Sequence, residues 1–249
     1  MRLREGTMER TYRIDTVGDS ALSVCFGNEI SPELNGRVHA LRRAVEESGI
    51  PGITDLNPTY CSLLISYDPW VLSYGKLKKR IEKLIGTLRE SAQNSSDIYL
   101  IPVCYGGKYG EDLEDVAAHA GITTDEVIRR HSAPDYLIYM LGFLPGFSYL
   151  GGLDPVINTP RLQVPRTVIP AGSVGIGGAQ TGVYPLDSPG GWRLIGRTPV
   201  RPYDPRTEMI MYSAGDYIRF CPIDEAEYLR IEKEVQAGTY VCPIERRNV

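Results

Sequence analysis

The chain has 249 residues, of which 42% are hydrophobic and 23% are charged, as in ordinary globular proteins and unlike disordered ones. Its 27 basic and 31 acidic residues give a formal charge of −4, so it lacks the electrostatic signature of nucleic-acid or anionic-membrane binding. No apolar run approaches the roughly 20 residues of a membrane span, and the opening MRLREGTMERTYR has no apolar signal core. We therefore expect a soluble, cytoplasmic protein of one large or two modest domains.

The cysteines and histidines show no metal-binding pattern. The five cysteines are widely scattered and never form a Cys-x-x-Cys pair, which makes zinc ribbons and disulfide frameworks poor hypotheses. The three histidines have no HExxH-type spacing. No metal site is therefore recognisable in the sequence.

Residues 1–95 alternate short strands with amphipathic helices and predict a small α+β domain. Ser31 before Pro32 matches a helix N-cap with proline in the first turn, and Gly49 matches the C-cap. A second amphipathic helix is predicted over 74–88. The predicted strands cover 12–14, 21–26, 53–57 and 61–67. Both helices are expected on one side of an antiparallel sheet.

A polar run at 91–97 is expected to link this domain to a second one over 98–249. Between residues 142 and 205 the chain holds twelve of the 26 glycines and ten of the 18 prolines. Such a density breaks long helices but suits the corners of a closed β-barrel. The predicted strands are 98–104, 136–141, 167–169, 174–176, 192–195, 209–212 and 217–220, and the predicted helices are 111–119, 124–131 and 224–236.

The fold class is therefore predicted as α+β. A small N-terminal α/β sandwich is followed by a β-barrel with helical insertions. One helix start is well marked, because Thr123 and Glu126 form a Thr-x-x-Glu capping box.

The run FLPGFSYLGGL, residues 143–153, is the first candidate site. It places Phe143, Phe147 and Tyr149 around a proline and repeated glycines. Glycine turns let a backbone approach a ligand closely, and aromatic rings supply flat apolar walls. The alternative is a tight barrel corner in which these rings only pack.

The run PAGSVGIGGAQTGVYP, residues 170–185, is the second. Gln180 and Thr181 lie beside exposed amides, and their side chains can bind a carboxylate, amide or phosphate oxygen. The run lacks the Gly-Lys-Ser/Thr of a P-loop and the third glycine of a dinucleotide fingerprint. The alternative is a β-hairpin with a glycine bulge.

The run SPGGWRLIGRTP, residues 188–199, is the third. Arg193 and Arg197 stand four apart, which puts them on one face of a strand, and Arg166 is expected to converge with them. Two or three arginines beside backbone amides would form an anion site. The alternative is that they are solvated strand residues or form structural ion pairs.

His131 has two interpretations. It stands at the end of a predicted helix, where a histidine interacts favourably with the helix dipole. It is also the only histidine near the aromatic and glycine-rich segment, and its side chain titrates in the range of a general acid or base.

Read in order, these segments resemble the family that contains the B component of bacterial 5-oxoprolinase. Its members are also described as allophanate hydrolase subunit 1 or as KipI-type inhibitors of a sporulation histidine kinase. The matching blocks include IPVCYGGKYGEDLEDVA at 101–117, HSAPDYLIYMLGFLPGFSYLGGL at 131–153, PRTVIPAGSVGIGGAQTGVYP at 165–185 and SPGGWRLIGRTP at 188–199. The resemblance spans nearly the whole chain, and the last three blocks together are highly specific.

The resemblance implies a cyclophilin-like C-terminal barrel and a heteromeric hydrolase. The implied reaction is ATP-driven opening of 5-oxoproline to glutamate, together with two partners, a carboxylase-like C component and a lactam-utilisation-like A component. It also implies that these partners bind ATP or share in binding it, and that this chain alone is inactive. The other members suggest two alternatives, a KipI-like inhibitor of a histidine kinase and an accessory protein related to urea carboxylase.

The resemblance also carries site residues onto this sequence. It places His131, Gln180 and Arg166 among candidate catalytic residues. The candidates for binding a small carboxylate or amide substrate are Phe147, Tyr149, Thr181, Tyr184, Trp192, Arg193 and Arg197, the last two from the spacing of the arginines.

Overall fold

The predicted helix caps and the alternation of buried and exposed strand residues are both present in the structure. The computed structural model describes residues 12–88 and 96–247. The chain divides into two units, Met1–Ala92 and Gln93–Val249, and each has its own hydrophobic core. Most of the predicted linker lies outside the described residues, while Ser96 and Asp97 belong to the first strand of the second unit.

The first unit is a four-stranded antiparallel sheet with two helices that share one core. Its elements are β1 (Arg13–Val17), β2 (Ala21–Cys25), α1 (Pro32–Ser48), β3 (Ile53–Pro58), β4 (Ser62–Tyr67) and α2 (Tyr74–Thr87). The strand order is β1-β2-β4-β3. Alternate residues of β2 and β4 are buried against the apolar faces of the helices, which confirms the predicted sandwich.

Helix α1 begins and ends where its capping residues predict. The Leu34 amide donates to the Ser31 hydroxyl at 3.5 Å, and Gly49 ends the helix in the left-handed region at φ 56°.

The second unit is a closed barrel with helices. Its elements are β5 (Ser96–Tyr105), α3 (Leu113–Ala120), α4 (Thr124–Ser132), β6 (Tyr136–Leu141), β7 (Ser148–Gly151), β8 (Arg166–Ile169), β9 (Ser173–Gly177), β10 (Gln180–Val183), β11 (Ser188–Gly190), β12 (Arg193–Arg197), β13 (Tyr203–Asp204), β14 (Met209–Ile210), β15 (Tyr217–Ile223), α5 (Glu225–Ala237) and β16 (Ile244–Arg247). The order β12-β9-β10-β7-β6-β15-β5 closes where β5 pairs with β12. This confirms the predicted barrel.

The barrel wall has a clear inside and outside because side chains alternate along each strand. Val174, Ile176 and Val183 point into the barrel core, together with Val116 of α3 and Val127 of α4. The residues between them on β9 and β10 therefore face outward, where the candidate site lies.

Several boundaries differ from prediction. The helix predicted over 111–119 begins at Leu113, because the Asp112 carboxylate accepts the Leu194 amide at 2.7 Å and does not cap the helix. The strand predicted over 209–212 is only the short β14, which pairs with β13. Strands β7, β11, β13 and β16 were not predicted, and β10 was expected only within the alternative hairpin at 170–185, since most of these strands are short and contain glycine or proline. Among the described residues, no helix has both the length and the apolar character to cross a membrane.

Candidate functional site

Trp192 lies flat against a wall of glycines on the outside of the barrel. The indole covers Gly177 and Gly182, and the Cβ of Trp192 lies over Gly175; a Cβ on Gly182 would lie 3.3 Å from the ring. A Cβ on Gly177 would overlap the indole nitrogen itself. These glycines are therefore required for the close approach of the ring rather than for a turn.

Phe147 is the centre of an aromatic cluster beside that indole. Its ring meets Tyr149, Tyr184 and Trp192 edge to face, with centroids 5.1, 5.3 and 5.5 Å away. Such edge contacts are the favoured geometry of aromatic pairs. Phe147, Tyr184 and Trp192 are buried, whereas Phe143 also contacts Phe147 but is 61% exposed.

The exposed Phe143 is held in an unusual backbone conformation. Its φ of 68° lies in the left-handed region, which residues other than glycine rarely adopt. The surrounding turn is closed by the Gly142 amide donating to the Phe147 carbonyl at 3.1 Å. Strained residues of this kind cluster at ligand-binding sites.

Together these rings form a surface groove of about 310 Å³, which we call the aromatic groove. Its principal lining residues are Phe143, Phe147, Tyr149, Arg161, Tyr184 and Trp192. Burial raises the pKa of Tyr184 to about 12, while the nearby charge of Arg161 opposes the shift. The Tyr184 phenol is therefore neutral at physiological pH. A groove lined by aromatic rings and a single charged side chain is typical of a small-molecule binding site.

Arg161 is the groove residue that sequence reasoning missed. Its guanidinium carbon lies 5.8 Å from the Trp192 ring centroid, within cation–π range. In residues 12–88 and 96–247, Arg161 has no ion pair or hydrogen bond. The sequence offers little signal for it, because it stands in the irregular run TPRLQVP, whereas the predicted arginines stand in strands.

Arg166 and Arg193 do converge, but on carboxylates. Arg166 binds Asp112 at 2.8 Å and Glu111 at 3.0 Å, and it donates to the Trp192 carbonyl at 3.4 Å. Arg193 binds Asp115 at 2.7 Å. Of the two interpretations of these arginines, the structure therefore matches structural ion pairs rather than a free anion site. Arg166 also stabilises the backbone at Trp192.

Arg197 does not share a face with Arg193, and that prediction is wrong. A bulge between Leu194 and Gly196 shifts the register of β12 against β9. Arg193 pairs with Ile176 and Arg197 with Ser173, residues three apart that face opposite sides of β9. Arg197 instead lies near α5, where its charge opposes the rise in the pKa of Tyr228 caused by burial.

Gln180 and Thr181 do not act as a pair, because neighbouring strand residues face opposite sides. The hairpin of β9 and β10 matches the simpler alternative considered for this run, with Gly178 at φ 66° in its turn. Gln180 is half-buried and pairs with Gly177, which places it on the outer face beside Trp192. Thr181 points into the barrel.

His131 lies inside the barrel and is fully buried. Thr181 donates its hydroxyl proton to the Gly175 carbonyl at 3.0 Å, so it accepts from His131 Nε2 at 2.7 Å. Nδ1 of the neutral ring then accepts from the Tyr105 hydroxyl at 2.8 Å. Burial lowers the pKa of His131 to about 3. This placement favours the structural interpretation of the histidine over proton transfer to a ligand in the groove.

The described residues include no cluster of three metal-ligating side chains. The outer face offers an apolar groove, the guanidinium of Arg161, which has no ion pair within the described residues, and the polar amide of Gln180, which is not among the groove's lining residues. Such a surface suits a small planar ligand with a negatively charged group.

Comparisons with known proteins agree with this architecture. The family model of the carboxyltransferase domain, subdomain C and D, matches residues 12–212. The chain is 41% identical over 234 residues to the B component of 5-oxoprolinase from Bacillus subtilis, an alignment that covers 90% of this chain and 98% of that protein.

Solved structures with a similar fold are also found. The crystal structure of TTHA0988 is 38% identical with a TM-score of 0.73 over 82% of this chain, and the match spans only 40% of that longer chain. The K. lactis urea amidolyase matches 95% of this chain and 16% of its own at 21% identity and a TM-score of 0.81, which shows the fold alone. The chain therefore belongs to the family of the carboxyltransferase domain, subdomain C and D.

Proposed function

We propose that this chain is the B component of an ATP-dependent 5-oxoprolinase, which opens 5-oxo-L-proline to L-glutamate. Its partners would be a carboxylase-like C component and a lactam-utilisation-like A component. The observation that carries the proposal is the aromatic groove, because its aromatic rings and Arg161, the one charged side chain among its described lining residues, match a small planar lactam that bears a carboxylate. The 41% identity to a protein named as the B component of 5-oxoprolinase supports the same assignment.

The chemistry explains why ATP is needed. An unstrained lactam is a poor electrophile, and phosphoryl transfer from ATP to its oxygen supplies the activation. That transfer releases ADP. Water then attacks the ring carbon, the ring C–N bond breaks, and the nitrogen leaves as the amine. The γ-carboxyl phosphate that remains is hydrolysed by a second water, which gives glutamate and inorganic phosphate. We assign ATP binding to the partner proteins, because the sequence of this chain contains no P-loop.

The role of this chain is to bind and orient the lactam. The accessible rings of Phe143 and Tyr149 would contact the lactam ring, while the amide of Gln180, on the same outer face of the barrel, would donate to the lactam carbonyl. Arg166 would act as a positioning residue, since its hydrogen bond to the Trp192 carbonyl fixes the indole. His131 would stabilise the barrel wall from inside through Thr181.

The test is ATP-dependent release of glutamate from 5-oxoproline by this chain reconstituted with its A and C partners. Activity should vanish when this chain is omitted, and Gln180→Ala should lower it about tenfold through loss of one hydrogen bond. Gln236→Ala, an exposed position on α5, is the matched control and should retain full activity. No glutamate from a complex of folded, associated components would refute the proposal.

A KipI-like inhibitor of a histidine kinase is the second candidate. It is favoured by the exposed aromatic wall at Phe143, because open aromatic grooves also bind proline-containing peptides. Co-purification separates the two functions: a carboxylase-like partner indicates the oxoprolinase, and a histidine kinase indicates the inhibitor.

A further inference from the structure

Arg161 is the one charged side chain among the residues that line the aromatic groove. We propose that Arg161 binds the carboxylate of the substrate, and that this contact makes the groove select lactams bearing a carboxylate over neutral cyclic amides. The proposal deepens the proposed function and rests on it for the identity of the lactam.

The contact with Trp192 leaves the hydrogen-bond donors of Arg161 available for an anion. Its guanidinium carbon lies 5.8 Å from the Trp192 ring centroid, and a cation–π contact of this kind uses none of the five N–H donors. These donors match the two oxygens of a carboxylate. Arg161 has no acidic partner in the described parts of the chain, so a ligand would not have to displace one.

The other arginines near the groove are already neutralised. Arg166 is paired with Glu111 and Asp112, and Arg193 is paired with Asp115. A carboxylate that approached either of them would compete with a built-in carboxylate. Arg161 is therefore better placed to bind an anion than Arg166 or Arg193, which the sequence suggests.

The loop that carries Arg161 is fixed at both ends. The Gly178 amide donates to the Thr159 carbonyl at 2.8 Å, and the Leu162 amide donates to the Gly191 carbonyl at 2.7 Å. The second bond joins the loop to the residue before Trp192. The cation and the indole are thus held together before a ligand arrives, which lowers the ordering cost of binding.

The groove limits the size of the ligand. A volume of about 310 Å³ is at the small end of ligand pockets, which suits a single five-membered ring. The described residues that line it include the exposed ring of Phe143 and the half-buried ring of Tyr149 and no acidic side chain, so a ligand ring can pack on these rings while its carboxylate reaches Arg161.

The test measures binding to the full chain, without partners, by isothermal titration with 5-oxo-L-proline and with 2-pyrrolidinone, the same ring without the carboxylate. We expect 5-oxo-L-proline to bind at least tenfold more tightly than 2-pyrrolidinone. Arg161→Gln should remove that difference, and Arg161→Lys should restore part of it. Arg230→Gln, an exposed position on α5, should leave both affinities unchanged.

Equal binding of the two ligands, unchanged affinity in Arg161→Gln, or absence of 5-oxo-L-proline binding would each overturn the proposal. The KM for 5-oxoproline of the reconstituted complex separates this proposal from the proposed function. An active complex whose KM is unaffected by Arg161→Gln refutes only the role of Arg161. Arg161-dependent binding of 5-oxo-L-proline by a chain whose complex is inactive supports the carboxylate site and refutes the oxoprolinase assignment.

Discussion

Lowering the pH from 7 to 5 should destabilise the barrel unit by about 2 kcal/mol through His131 alone. The imidazole is fully buried between the Tyr105 hydroxyl and the Thr181 hydroxyl, and both of its nitrogens are hydrogen-bonded in the neutral form. Burial lowers its pKa to about 3 in the folded chain, compared with 6.5 for a histidine in water.

The sign and size follow from linkage. Between pH 6.5 and about 3 the unfolded chain binds a proton that the folded chain cannot accept. Stability is therefore complete above pH 6.5 and is lost as the pH falls, by about 1.4 kcal/mol for each pH unit. The interval from pH 7 to pH 5 includes about 1.5 such units, which gives the figure of about 2 kcal/mol.

Urea unfolding followed by tryptophan emission measures this effect in the barrel unit. Trp192 is buried and reports on the barrel, whereas Trp70 of the other unit is 96% exposed and should change little. His131→Gln should be less stable at pH 7 but should lose about 2 kcal/mol less than wild type on going to pH 5. His119→Gln, at an exposed helix position, should behave like wild type. If His131→Gln keeps the wild-type pH dependence, the assignment of a buried neutral imidazole is wrong.

Three further substitutions test the packing around the groove by the same unfolding assay. Thr181→Val removes the acceptor of the buried imidazole N–H and should lower the free energy of unfolding by about 1–3 kcal/mol. The control Thr167→Val, at an exposed position, should be nearly neutral, and equal losses in the two variants would contradict the hydrogen-bond network. Gly177→Ala should displace the indole of Trp192, cost about 1–3 kcal/mol and shift its emission; unchanged emission would argue against the close contact. Asp112→Asn should cost about 1–3 kcal/mol by weakening its buried ion pair, and an unaltered urea midpoint would count against that role.

Elements whose signals are local could be predicted from the sequence alone. Helix α1 starts after Ser31 and stops at Gly49 because capping groups and a left-handed glycine act within a few residues. The density of glycine and proline after residue 142 was sufficient to predict a barrel, since that composition excludes long helices. The motifs also located the aromatic residues of the groove, although not their contacts.

The contacts between side chains depend on the three-dimensional fold and could not be predicted in the same way. The direction of a strand residue depends on register, so a single bulge in β12 separated Arg193 from Arg197, and alternation separated Gln180 from Thr181. The pairing of Arg193 with an acidic helix start, and the lack of an ion-pair partner for Arg161 among the described residues, depend on segments distant in the chain. Charge pairing across a closed barrel is a property of the folded surface, and for that reason the residue best placed to bind an anion could not be selected from the sequence.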